Sequence, residues 1–156
     1  MKTKISLAIL LWLNATAQAN ETEWLNAINQ IRAEGRKCGK INYPPAQPLS
    51  SNRLLQQVAQ NHANEMAKDN FFSHNGQNGS TPFSRIKKTG YTYLMASENI
   101  AAGDENFEKT LMRWLTSEGH CANIMDDNAT ETGIAYAYSS DSRYQHYWVQ
   151  VFALPR

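Results

Sequence analysis

The chain has 156 residues, 42% hydrophobic and 19% charged, with ordinary Gly and Pro and no biased tract, which suits one globular domain around a single moderate core. Lys and Arg number 15 against 14 Asp and Glu, a formal charge of +1, and the basic residues gather into no patch, which excludes nucleic acid as the expected partner.

Lys2 and Lys4 precede an apolar run over 5–13, and Ala17-Gln18-Ala19 supplies small residues for signal-peptidase cleavage after Ala19. Residues 1–19 therefore read as a secretory signal peptide, leaving a single domain over 20–156. The run is about half the roughly 20 apolar residues that a membrane span needs, and no later segment reads as one. A monomer that is secreted or periplasmic is expected. Losing Lys2 and Lys4 takes the formal charge from +1 to −1. Cys38 and Cys121 are the only cysteines, an even number in a chain bound for an oxidising compartment, and read as one disulfide. A metal site using Cys121 beside His120, or a reactive thiol, are the alternatives.

Asn20-Glu21-Thr22-Glu23 offers a capping pair for a first helix with Trp24, Leu25, Ile28 and Ile31 at helical spacing, ended by Gly35. Residues 36–51, with Pro44, Pro45 and Pro48, read as an irregular loop. Ser50 or Ser51 is the expected cap of an amphipathic second helix with Leu54, Leu55, Val58, Ala59, His62, Ala63 and Met66 on its apolar stripe. The turn-rich stretch 73–79 places His74 on a loop. Thr81 and Pro82 begin a short third helix closed by Gly90. Residues 97–103 read as a short extended or looped piece, and Asp104 as the cap of a fourth helix carrying Phe107, Leu111, Trp114 and Leu115. Gly119 breaks it before a brief turn over 120–125. Residues 133–138 and 144–152, rich in Tyr, Val, Trp and Phe, read as a β-hairpin. Both faces of its second strand carry bulk, which fits a sheet covered by helices on both sides.

Four segments fall in one order: Phe71-Phe72-Ser73-His74, Ser97-Glu98-Asn99-Ile100-Ala101, the run from Trp114 to Met125, and Tyr147-Trp148-Val149-Gln150. Together they resemble the CAP superfamily (cysteine-rich secretory, antigen 5 and pathogenesis-related proteins, or SCP domain) in its bacterial branch, over about residues 21 to 154. The resemblance implies an α+β fold, a three-layer α-β-α sandwich with a small, mostly antiparallel sheet. It also implies a central cleft with two histidines and usually two glutamates, which fall on His74, Glu98 and His120. The second glutamate position falls on Ser117, with Glu118 one residue further on as a possible substitute in the cleft.

Two neutral imidazoles and a carboxylate can form an N2O set for zinc or another divalent metal. Equally, Glu98 can accept hydrogen bonds from the imidazoles and simply tie loops together. Ser117 and His120, three residues apart, admit a Ser-His-Glu arrangement with Glu98, although no G-x-S-x-G elbow is present. His62 and His146 read as packed structural histidines, and the aromatic residues as core. Two functions follow: a binding module whose cleft holds a metal ion or a polar group of a small-molecule, lipid, peptide or cell-wall ligand, or a metal-assisted, peptidase-like hydrolase with Glu98 or Glu118 as base.

Overall fold

A computed structural model describes the backbone of residues 7–156 and the side chains of residues 20–156, so the signal-peptide reading of residues 1–19 lies outside the described side chains. The elements in chain order are α1 (Leu7–Glu34), β1 (Arg36–Cys38), β2 (Ile41–Tyr43), β3 (Ser50–Ser51), α2 (Arg53–Lys68), α3 (Pro82–Lys88), β4 (Tyr93–Ala102), α4 (Phe107–Thr116), α5 (Glu118–Met125), β5 (Glu131–Tyr138) and β6 (His146–Pro155). Among the described residues no helix is long and apolar enough to cross a membrane.

One sheet has the order β3-β5-β6-β4, antiparallel except for the short β3–β5 pair, and β1 with β2 forms a separate two-stranded ladder. The central strand β6 feeds two cores by alternation. Trp148 and Phe152 face the layer of α1, α4 and α5 with Ile28, Trp114 and Ile124. Tyr147, Val149 and Val151 face α2 and α3 with Leu55, Val58, Met66 and Ile86. This is the expected three-layer α+β sandwich.

Local chemistry sets the helix starts. Asn52, rather than Ser50 or Ser51, caps α2, its side chain accepting from the Leu54 and Leu55 amides at 2.9 and 3.3 Å. The two serines are drawn instead into β3, alongside Glu131 and Thr132. Thr81 caps α3 with Pro82 in its first turn, as the sequence predicts, and Ser84 completes a capping box. Asn106 caps α4 through the Lys109 amide, while Asp104 instead pairs with Arg113 at 2.8 Å. α1 runs through Asn20-Glu21-Thr22-Glu23 instead of starting there.

Two expectations are corrected in ways that matter for the site. Of the two readings of 97–103 the extended one holds, but the piece is not short: residues 97–102 end the ten-residue strand β4, and 120–125 is not a turn but most of helix α5. β4 lies at the sheet edge, where outward carbonyls need partners that no strand supplies. The α4–α5 layer supplies them: Trp114 Nε1 donates to the Ile100 carbonyl at 3.1 Å, Arg113 to Ala102 at 3.3 Å and Asn123 to Glu98 at 3.5 Å. The blunted edge brings the histidine-bearing elements to one place.

Candidate functional site

His74 comes from the loop between α2 and α3, which is pinned from below. Buried His62 places its Nε2 2.8 Å from the Ser73 carbonyl, so that nitrogen donates. Arg85, on α3, clamps the same loop from the side, donating to the carbonyls of His74 at 2.9 Å and Ser80 at 3.3 Å. His62, expected to be structural, thus holds up the loop that presents His74.

Glu98, on β4, is 7% exposed, and both its oxygens are engaged. Oε1 lies 2.9 Å from His74 Nδ1 and Oε2 accepts from Arg85 at 2.8 Å. A carboxylate only accepts, so His74 Nδ1 carries the proton and, in the neutral ring, Nε2 keeps its lone pair. This is the carboxylate–histidine pairing that orients a metal-binding or basic imidazole.

His120 enters from the opposite layer, on the first turn of α5. Its carbonyl accepts from Asn99 at 3.0 Å, Asn99 accepts from Asn123 at 2.8 Å, and the neighbouring Cys121 is disulfide-bonded to Cys38. Burial, and secondarily the nearby His74, lowers the His120 pKa below its ordinary value of 6.5, favouring the neutral ring that a metal needs. Its Nδ1 is buried and has no hydrogen-bond partner among the described residues.

His74 and His120 share a cleft of about 480 Å³ also lined by Phe72, Ser73, Asn75 and Ile100. Phe72 is 42% exposed and gives the cleft one aromatic wall. Ser117 and Glu118 are not among its lining residues. Ser117 is the backbone N-cap of α5, and the exposed Glu118 side chain lies against Gly39 in the β1–β2 turn. Among the described residues no cluster of three or more His, Cys, Asp or Glu is arranged to hold a metal ion. The donors available in the cleft are therefore two imidazoles, with Glu98 behind one of them.

Sequence reasoning did not find Arg85, Asn99 or Asn123. Arg85 lies outside the four motif segments, and its one signal was indirect: an acidic residue within a strand needs a cation, and α3 is the neighbouring basic element.

The profile of the cysteine-rich secretory protein family matches residues 25–152. YkwD of Bacillus subtilis is 33% identical over 143 residues, covering 88% of this chain and 53% of YkwD. The chain thus spans about half the length of that relative. An extracellular SCP-domain protein of Bacillus anthracis superposes with a TM-score of 0.71 at 25% identity, over 87% of this chain and 40% of its own. An outer surface protein of Borrelia burgdorferi, at 22% identity, superposes with a TM-score of 0.67 over 86% of this chain and 94% of its own. With the sandwich fold and the family match over most of its length, the chain belongs to the cysteine-rich secretory protein family.

Proposed function

We propose that this is an extracytoplasmic binding module, exported by residues 1–19, whose cleft holds a divalent cation, or a polar ligand group, between His74 and His120. The observation that carries this reading is the fixed His74 ring: Glu98 accepts a hydrogen bond from Nδ1 at 2.9 Å, which in the neutral ring leaves the Nε2 lone pair for a ligand. The orphaned His120 Nδ1 is a second donor of the right kind, so the residues fit a two-imidazole set completed by water or ligand. Glu98 serves as the supporting carboxylate in this arrangement. A bound cation supplies a Lewis-acidic centre with open positions. The protein's own part is to hold two imidazoles in register and to anchor one of them through Glu98 and Arg85. The extracellular and surface settings of the Bacillus anthracis and Borrelia proteins support the location.

The test is zinc calorimetry on the folded, oxidised protein. Uptake is expected for the wild type, with loss in His74→Ala and in His120→Ala. A weakening of about 10- to 100-fold is expected in Glu98→Gln, the usual effect of removing a supporting carboxylate. Equal affinity in wild type and both histidine variants would remove the site.

A further inference from the structure

On the other side of the 73–80 loop lies a larger groove, about 550 Å³, between α2 and α3. Its walls are two helical stripes. Gln57, Asn61 and Glu65 recur every fourth residue along α2, and Ser84, Arg85 and Lys88 face them from α3, with buried Val58 among the lining residues. The volume falls in the roughly 300–1,000 Å³ range of small-ligand sites.

The groups in the groove differ in what they still have to offer. Glu65 is engaged from the loop, Oε1 accepting from the Gln77 amide at 3.3 Å, while Oε2 lies 3.3 Å from His62 Nδ1. Arg85 commits both terminal nitrogens to Glu98 and the loop carbonyls, and its Nε is buried without a partner among the described residues. Gln57, Asn61 and Lys88 make no side-chain hydrogen bond or ion pair with other described residues. The contrast along α2 is informative: Gln56 is spent on both polar groups of Ile134 at 2.6 and 2.8 Å, and Gln60 on the Tyr136 carbonyl at 3.0 Å. Polar side chains of one type on one helix thus divide into those that lock α2 to β5 and those left facing the groove.

From this we infer a second binding site, separate from the histidine cleft, for a short acidic saccharide. Planar amides that can donate and accept at once match vicinal hydroxyl and acetamido groups. Lys88, exposed on α3 and without an ion-pair partner among the described residues, supplies a positive charge for a carboxylate substituent. A nucleotide is disfavoured because no aromatic ring lines the groove and one lysine is the only uncommitted cation among its lining residues. A peptide is disfavoured because Val58 is the only apolar side chain lining it.

The experiment is an NMR titration of the folded, oxidised protein with two matched probes: a disaccharide of N-acetylglucosamine and N-acetylmuramic acid, and its neutral counterpart di-N-acetylchitobiose. The acidic disaccharide is expected to shift the side-chain amide signals of Gln57 and Asn61. Binding should be about tenfold weaker, or more, for the neutral probe and in Lys88→Met, because a charge-assisted contact is lost. Asn61→Ala should weaken both probes alike. His74→Ala should leave saccharide binding unchanged, so failure of the metal cleft and failure of the groove are told apart. No shift at Gln57 and Asn61, shifts confined to the residues lining the histidine cleft, or equal affinity of Lys88→Met and wild type would each overturn the assignment.

Discussion

A carboxylate that is only 7% exposed needs its charge matched and its oxygens bonded, and Glu98 has the Arg85 guanidinium on one oxygen and the His74 ring N–H on the other. The pairing leaves it no free oxygen with which to act as a general base. The carboxylate base that the hydrolase alternative expects is therefore not free in the cleft, since Glu98 is engaged at both oxygens and Glu118 lies against Gly39. His120 behaves differently, because burial and His74 both disfavour its proton. Its folded pKa lies below the ordinary 6.5, so the unfolded chain binds that proton more tightly and stability is lost as the pH falls below about 6.5 toward the folded value. We expect the wild type to lose more stability than His120→Gln between neutral pH and pH 5 in urea unfolding. Parallel pH profiles would mean that the ring is not desolvated. His74, Glu98 and His120 were legible because they stand in short ordered motifs. Arg32 was not, since a lone arginine in a helical pattern reads as surface. It is fully buried and donates to the carbonyls of Gln47, Ile124, Asp126 and Ala129, closing the C-terminal end of α5 onto α1.

At the level of elements, the legible parts are those with strong local signals. The periodic stripe of α2, the Thr81-Pro82 start of α3 and the aromatic β5–β6 hairpin each follow from short-range chemistry. β4 was underestimated because Met95-Ala96-Ser97-Glu98-Asn99 has little β preference. It is a strand because β6 offers a ladder and because Trp114, Arg113 and Asn123 cap its free edge, contacts distant in sequence. The packing of α2 on β5 makes a sharper demand. Gly133 has no Cβ, and one built there would overlap the α2 backbone at Leu55 and Gln56. Backbone cannot step aside as a flexible side chain can, so Gly133→Ala must push the helix off the sheet and strain both Gln56 hydrogen bonds to Ile134. We expect a loss of roughly 3 kcal/mol or more, at the upper end of overpacking costs. A urea midpoint within error of wild type would show that α2 is free to move.

Across the whole molecule, the Cys38–Cys121 bridge joins the β1–β2 ladder to α5, over a sequence separation of 83 residues. The enclosed loop contains α2, α3, β4 and α4, so the bond constrains both helical layers and the edge strand in the unfolded chain. The chain-entropy model assigns such a loop about 4 to 5 kcal/mol, against a total of about 5 to 15 for a typical domain. Both sulfur-bearing residues are buried, at 1% and 0% exposure, so the bond is shielded from reductant until the fold opens. Its ends also sit beside the cleft, since Cys121 follows His120 directly. Yet the His120 backbone is held independently, by Asn99 and through it Asn123, and α5 is tied to α1 by Arg32. Stability and site geometry should therefore separate. In Cys38→Ala/Cys121→Ala we expect unfolding at lower urea, with a loss of about 3 to 5 kcal/mol, while zinc affinity measured well below the new midpoint stays within about twofold of wild type. An unchanged midpoint would show that the bridge adds nothing to stability. Zinc affinity lost while the domain is still folded would show that the bridge, rather than Asn99 and Arg32, sets the position of His120.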